Sequence, residues 1–103
     1  MIIYNVTMKV EPAIAKEWLH WMQEVHIPEV MQTGCFTEYK IVRLLEVDET
    51  EGLTYAIQYN AESKAIYNQY ISKFASALRD KAYKKWGDRF IAFRSVMEVV
   101  HPL

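Results

Sequence analysis

A few side chains in this 103-residue sequence have the types and spacing to do chemistry. The first is His26, in Val25-His26-Ile27-Pro28, within an aromatic-rich stretch from Trp18 to Phe36. An imidazole titrates near neutrality, so His26 is a candidate general base or hydrogen-bond donor toward a bound carbonyl, enol or phenol. Arg94 and Arg43 carry planar guanidinium forks that suit a carboxylate or an enolate. Asn5, Gln58 and Glu98 are candidate ligand-orienting residues, and Glu98 is also a candidate counter-ion for Arg94. Each has a plainer reading beside the chemical one. His26 can satisfy a carbonyl or the negative pole of a helix, and Arg94 with Glu98 can form an exposed strand pair worth little energy.

The remaining candidates point away from metal and cofactor chemistry. His20, His26 and His101 lack a carboxylate spacing typical of a metal site, and no Gly-rich phosphate loop occurs. Neither a metal nor a cofactor is therefore expected. A single cysteine, Cys35, excludes an intrachain disulfide and a Cys-rich zinc site. It reads as a small buried hydrophobe at the start of a strand, since no adjacent base marks it as a nucleophile. Tyr55, Tyr59, Tyr67 and Tyr70 read first as core and rim aromatics, and Trp18 and Trp21 as core anchors.

The elements that must position these residues follow from periodicity. Ile2, Tyr4, Val6, Met8 and Val10 alternate with Ile3, Asn5, Thr7 and Lys9, which predicts a half-buried strand. Glu11-Pro12 opens a helix, because proline needs no amide hydrogen near a first helical position. Ile14, Trp18, Trp21, Met22 and Val25 form its expected buried stripe. Pro28 is expected to break or kink that helix, and a last turn ends before Gly34. Residues 35–47 read as a long β-rich run, residues 48–52 as a polar hairpin loop, and residues 53–59 as a third strand. A second helix starts near Glu62-Ser63, with Tyr67, Tyr70, Ile71, Phe74, Leu78 and Ala82 as its stripe, and stops at Gly87. Residues 89–100 form the fourth strand.

The order strand-helix-strand-strand-helix-strand, with no linker or repeat, predicts an α+β fold. It is the ferredoxin-like βαββαβ arrangement: one domain over residues 1–103, with a four-stranded antiparallel sheet and both helices on one face. Tyr4, Val6 and Met8, with Tyr55, Ile57 and Tyr59 and with Ile91, Phe93 and Met97, are expected to point toward the helices. The uncovered face then carries Asn5, Thr7, Lys9, Ala56, Gln58, Phe90, Arg94, Val96 and Glu98. The register of the second strand stays open, with Arg43 on one side and Glu38 and Lys40 on the other.

Composition bears on partners. Half of the chain is hydrophobic, 51%, with three Trp, seven Tyr, four Phe and five Met. For a chain that buries only about 60–70% of its unfolded surface, that load calls for a second subunit. A mixed uncovered sheet face suits two sheets packed around a partly polar cavity, so a homodimer through that face is expected. The net charge of −1 leaves no footprint for nucleic acid or an anionic membrane. The basic cluster from Arg79 to Lys85, interrupted by Asp80, suits the negative pole at a helix end. MIIYNVTMKV has neither a basic leader region nor a long apolar core, so no signal peptide or membrane span is expected, and the chain reads as cytoplasmic.

The motif W-x-x-x-V-H-x-P, followed by a glycine and an aromatic, resembles the dimeric α/β-barrel proteins, with Trp21, Val25, His26, Pro28, Gly34 and Phe36 carrying the match. The segment is most similar to their EthD and NIPSNAP branches. More narrowly, MIIYNVTMKV, HIPEV, TGCF, LLEVDE, YAIQY and KWGDRFIAFRSVMEVV resemble a bacterial family of about 100 residues known as a domain of unknown function. The resemblance implies two ferredoxin-like subunits whose sheets face each other and enclose pockets between sheet and helices. Relatives in that superfamily include monooxygenases, isomerases, mutarotases and haem-handling enzymes. Haem-degrading members combine a first-strand Asn, a Trp and a histidine on the second helix. Asn5 matches the first, but residues 62–86 contain no histidine, so haem is not expected.

The expected function is the binding of a small molecule between sheet and helices by a homodimer. Cofactor-independent proton transfer, isomerisation or monooxygenase-like chemistry would then centre on His26. The alternative is a non-catalytic structural or regulatory dimerisation module. Whether the chain is an enzyme stays open at this level.

Overall fold

The computed structural model of the chain describes residues 1–102, and Leu103, the last residue of the expected domain, lies outside them. Strand β1 (Ile2–Val10) leads into a short 3-10 turn at Pro12–Ile14, then α1 (Ala15–Trp21), a wide π turn (Met22–His26) and α2 (Ile27–Gln32). These helical pieces run on without a break. Of the break or kink expected at Pro28 the break does not occur, because a wide turn just before it takes up the misfit. Ile27 N–H donates to Met22 O, five residues back. That extra residue opens the helix where Pro28 has no amide to donate and its ring would crowd the preceding turn.

Strand β2 (Glu38–Arg43) pairs with β3 (Leu53–Ala61). It is shorter than the expected run over residues 35–47. Cys35 and Phe36 are buried in the connection that precedes it, and Glu46 adopts a positive φ of 60° that extended backbone does not permit. Gly52 closes the hairpin, where a Cβ would collide with the Val10 carbonyl oxygen. The second helix begins at Ser63, whose Oγ accepts from Ile66 N–H at 3.2 Å and supplies one of the partners a helix start lacks. It comprises α3 (Lys64–Tyr70), a π turn (Ile71–Ala75) and α4 (Ser76–Trp86). Gly87 ends it at φ 62°, a left-handed position that glycine adopts without strain. Strand β4 (Phe90–Glu98) completes an antiparallel sheet of order β2-β3-β1-β4.

Both helices lie on one face of that sheet. Trp18, Met22, Ile27 and Val30 from the first helix meet Val10, Ile57 and Tyr59, all nearly inaccessible to water. Each such side chain contributes about 1.5–3 kcal/mol by leaving solvent. Tyr4, Phe36, Tyr59 and Tyr70 stack and tilt against one another at 4.8–6.0 Å between ring centroids. The aromatic load foreseen from composition is concentrated in this layer.

The register of β4 corrects one expectation. Tyr4, Val6 and Met8 do face the helices, and their partners across β4 are Val96, Arg94 and Ala92. Residues directly opposite in a ladder share a face. Arg94 and Glu98 therefore stand on the helix side, together with Phe90 and Val96, rather than on the open face. Ile91, Phe93 and Met97, opposite Lys9, Thr7 and Ile3, stand on the open face. The alternation of β4 was sound, but apolarity misled as to its direction, since the open side of this edge strand is the more apolar one. On β2, Arg43, Ile41 and Tyr39 face the helices through Tyr55, Ile57 and Tyr59, while Glu38, Lys40 and Val42 face away.

Candidate functional site

The wide turn at Met22–His26 sets the position of His26. In a regular helix the inner stripe through Trp18 and Met22 would continue at Val25, as the periodicity predicts. The extra residue carries the stripe on by five instead, from Met22 to Ile27, and Val25 is left 39% exposed. His26 is thereby turned from the outer flank toward the sheet, where its ring stacks on Trp21 at 5.4 Å and 26°. Wide helical turns of this kind recur at functional sites because they aim one side chain differently.

His26 lines a cavity of about 50 Å³ between the helices and the sheet. Its polar lining consists of His26, Tyr4, Tyr59, Tyr70, Arg79 and Arg94, and no carboxylate is among the lining residues. Space of that size admits a few water molecules or one small functional group. Burial, with the nearby Arg94 charge adding to it, pulls the His26 pKa down to about 4 against the opposing pull of Glu29. The imidazole is therefore neutral at pH 7 and can accept a proton or a hydrogen bond. Burial also pushes the Tyr59 and Tyr70 phenols up, with neighbouring tyrosines adding to the effect, so both remain donors. Lys81 and Glu29 join the two helices at 2.6 Å, which engages the carboxylate nearest in charge to His26.

Of the residues singled out from sequence, the structure brings His26 and Arg94 to this one cavity. Arg94 is exposed and makes no ion pair with Glu98 or with any other described residue. Glu98 pairs with Ile2 at the end of β4 and is not part of the lining. Arg43 grips Glu49 through two nitrogens at 2.8–3.3 Å, at the far edge of the sheet. Asn5 and Gln58 face each other on the opposite side of the sheet, and Asn5 Nδ2 donates to Thr7 Oγ1 at 2.9 Å. Two lining residues of chemical weight were not singled out: Tyr4, read as core, and Arg79, grouped with the basic helix end. The signal for Arg79 was its place four residues after Ala75 and three before Ala82, which is core spacing for an arginine.

No helix is long and apolar enough to cross a membrane among the described residues, and the same residues contain no cluster of ligands able to hold a metal ion.

Solved structures share this fold. A dimeric ferredoxin-like protein from an uncultured marine organism superposes with a TM-score of 0.75 at 10% identity, covering 99% of this chain and 97% of that one. An EthD-family protein from Bacillus halodurans gives 0.67 at 13% identity, over 97% and 100% of the two chains. SnoaB, a cofactor-independent oxygenase from Streptomyces nogalater, gives 0.70 at 8% identity, over 99% and 96%. No curated protein matches the chain. These likenesses agree with the ladder order and the helix placement in assigning a ferredoxin-like α+β fold. A family model matches residues 1–100, and on that match the chain belongs to the family DUF4286, a domain of unknown function.

Proposed function

We propose that the protein binds a small organic anion in the helix–sheet cavity and that His26 exchanges a proton with it. The observation that carries this reading is the polar lining: a neutral imidazole, two guanidinium groups and three phenols, with no carboxylate to neutralise them. Such a lining favours negative charge, most strongly at its buried inner end and less at the exposed Arg94, where water screens it. The chemistry it suits is proton transfer next to a carbonyl. His26 takes the proton from the carbon, and the electron pair moves to the carbonyl oxygen. Arg94 stabilises the resulting enolate, and return of the proton to another atom yields an isomer. The negative charge of the enolate raises the basicity of the nearby imidazole, which offsets its low resting pKa.

Two copies of the chain pair through their open sheet faces in this reading. Ile91 and Phe93 are 57% and 67% exposed there, around the central polar group of Asn5, Thr7 and Gln58. The dimeric ferredoxin-like neighbour supports this arrangement. Asn5 and Gln58 would then orient side chains across the interface rather than touch a ligand beside His26. A second reading, a dimerisation module without chemistry, draws on the small volume of the cavity and its walls of Trp18 and Met22.

Native mass spectrometry of the purified protein, followed by chemical extraction, separates the two. A retained carbonyl or carboxylate compound, lost in His26→Ala and Arg94→Ala, supports the ligand-binding reading. Retention unchanged in both variants removes these residues from the site, and no retained or added small molecule moving the His26 ring signals leaves the module reading.

A further inference from the structure

The two edges of the sheet differ in how well they are guarded. At one edge β2 is six residues long and three of them are charged, which discourages pairing with another strand. At the other edge β4 runs for nine residues without proline or lysine, and its only charges are Arg94 and Glu98. Neither has an ion-pair partner among the described residues, and within one chain four residues of strand hold them ~13 Å apart. Val96, between them on the helix side, is 43% exposed, so no helix overhangs this half of the strand.

The ladder shows which backbone groups of β4 are left unpaired. Val99 N–H donates to Met1 O at 3.0 Å and Glu11 N–H to Arg89 O at 3.1 Å, at opposite ends of the β1–β4 pairing. Hydrogen-bonded pairs alternate along an antiparallel ladder, so β4 residues in phase with these two bond to β1. Ala92, Arg94, Val96 and Glu98 are out of phase, and their N–H and C=O groups point outward along the edge.

We infer that β4 pairs with β4 of a second copy, antiparallel about a two-fold axis at Val96, with Arg94 opposite the partner's Glu98 and Glu98 opposite the partner's Arg94. The outward residues of the two strands then meet as hydrogen-bonded pairs, which satisfies both bare edges. The charges select this register. A centre at Arg94 or Glu98 sets like charges opposite each other, and a centre at Ser95 or Met97 sets each charge opposite an apolar residue. A two-fold contact between like edges stops at two copies, so it covers the edge without growing into a fibre. Contact through the open face leaves these backbone groups bare, so the two interfaces are distinct. The edge pairing goes beyond the ligand-binding reading and does not depend on it. In the paired form Arg94 carries a counter-ion, which withdraws part of its charge from the cavity.

Hydrogen exchange followed by NMR on the unaltered chain, at a concentration where light scattering shows assembly, tests the pairing. The Ile41 amide is the internal reference. It points outward on the β2 edge, since Leu44 N–H bonds to Thr54 O and sets the phase there. After correction for intrinsic rates, the Arg94, Val96 and Glu98 amides are expected to exchange at least about tenfold more slowly than that of Ile41. An assembled chain in which they exchange as fast as Ile41, as contact through the open face alone would give, overturns the inference. A chain that stays monomeric at millimolar concentration overturns it too. Charge reversal tests the register: Arg94→Glu and Glu98→Arg each create two like-charge pairs and should weaken edge pairing by about tenfold, read as lost protection of the Val96 amide. Mixing the two variants in equal amounts, or combining both substitutions in one chain, restores opposite charges and should restore protection. Single reversals without effect, or a mixture that stays unprotected, overturn the pairing of Arg94 with Glu98.

Discussion

The two faces of the sheet follow the same alternation and end in opposite roles. The helix side buries Tyr4, Val6, Met8, Ile57 and Tyr59, yet it is the side that contains Arg79, Arg94 and His26 around a cavity. The open side has no covering layer, yet β4 presents Ile91, Phe93 and Met97 there. A face roofed by helices can hold charge, because a cavity and an exposed edge strand let Arg94 keep contact with water. A face without a roof that gathers large apolar groups is suited to contact with another sheet. Charge and apolarity are therefore not simple guides to inside and outside in this molecule.

Substitutions on the two faces should differ in kind. Trp18→Ala on the covered face should cost about 3–5 kcal/mol in urea unfolding, through lost burial and the cavity left behind. Phe93→Ala on the open face, tested at a dilution where the chain is monomeric, should move the same measurement by no more than about 0.5 kcal/mol. Equal losses at the two positions would erase the distinction. Phe93→Asp is the sharper probe of the open face. It should raise the dissociation constant of the dimer by about 100-fold or more, read as a halved mass in light scattering, because a carboxylate would be buried without a partner. A wild-type chain that scatters as a monomer at micromolar to millimolar concentration would remove the interface.

Acidification tests the covered face through His26. Its folded pKa of about 4 lies below the ordinary 6.5, so between those values the unfolded chain binds the extra proton. Stability contributed by the neutral imidazole is thus complete above about pH 6.5 and is lost as pH falls toward 4, with a slope of up to about 1.4 kcal/mol per pH unit. His26→Gln should flatten that slope in pH-dependent unfolding, and an unaltered slope would place the effect elsewhere. The smallest change concerns the helix that roofs this face. Ser63→Ala removes the cap at the start of α3 and should cost about 1 kcal/mol in thermal unfolding, with no change in oligomeric mass.

The element order was readable from periodicity because alternation in β1 and β3, and glycine and proline at the ends, are local signals. The site was only half readable. His26 could be picked out by residue type, but its inward aim depends on a wide turn that no residue pattern in Met22–His26 announces. Arg94 was identified as a ligand group, yet its face came out reversed, since on β4 the apolar residues lie on the open side. Arg79 was taken for a helix-end cation because its neighbours are Lys81, Lys84 and Lys85, although its own spacing follows the buried stripe.

What the sequence determined by itself was the ferredoxin-like order of elements, the surplus of apolar surface, and the presence of an imidazole beside a proline. These follow from short-range chemistry: which residues alternate, which break helices, and which titrate near neutrality. The tertiary structure alone decided which face each strand residue occupies and which charges meet. Register is a long-range property, so Arg94 joins the cavity only because it stands opposite Val6. His26 and Arg79 come from different helices, and only their packing on one sheet brings them to the same space.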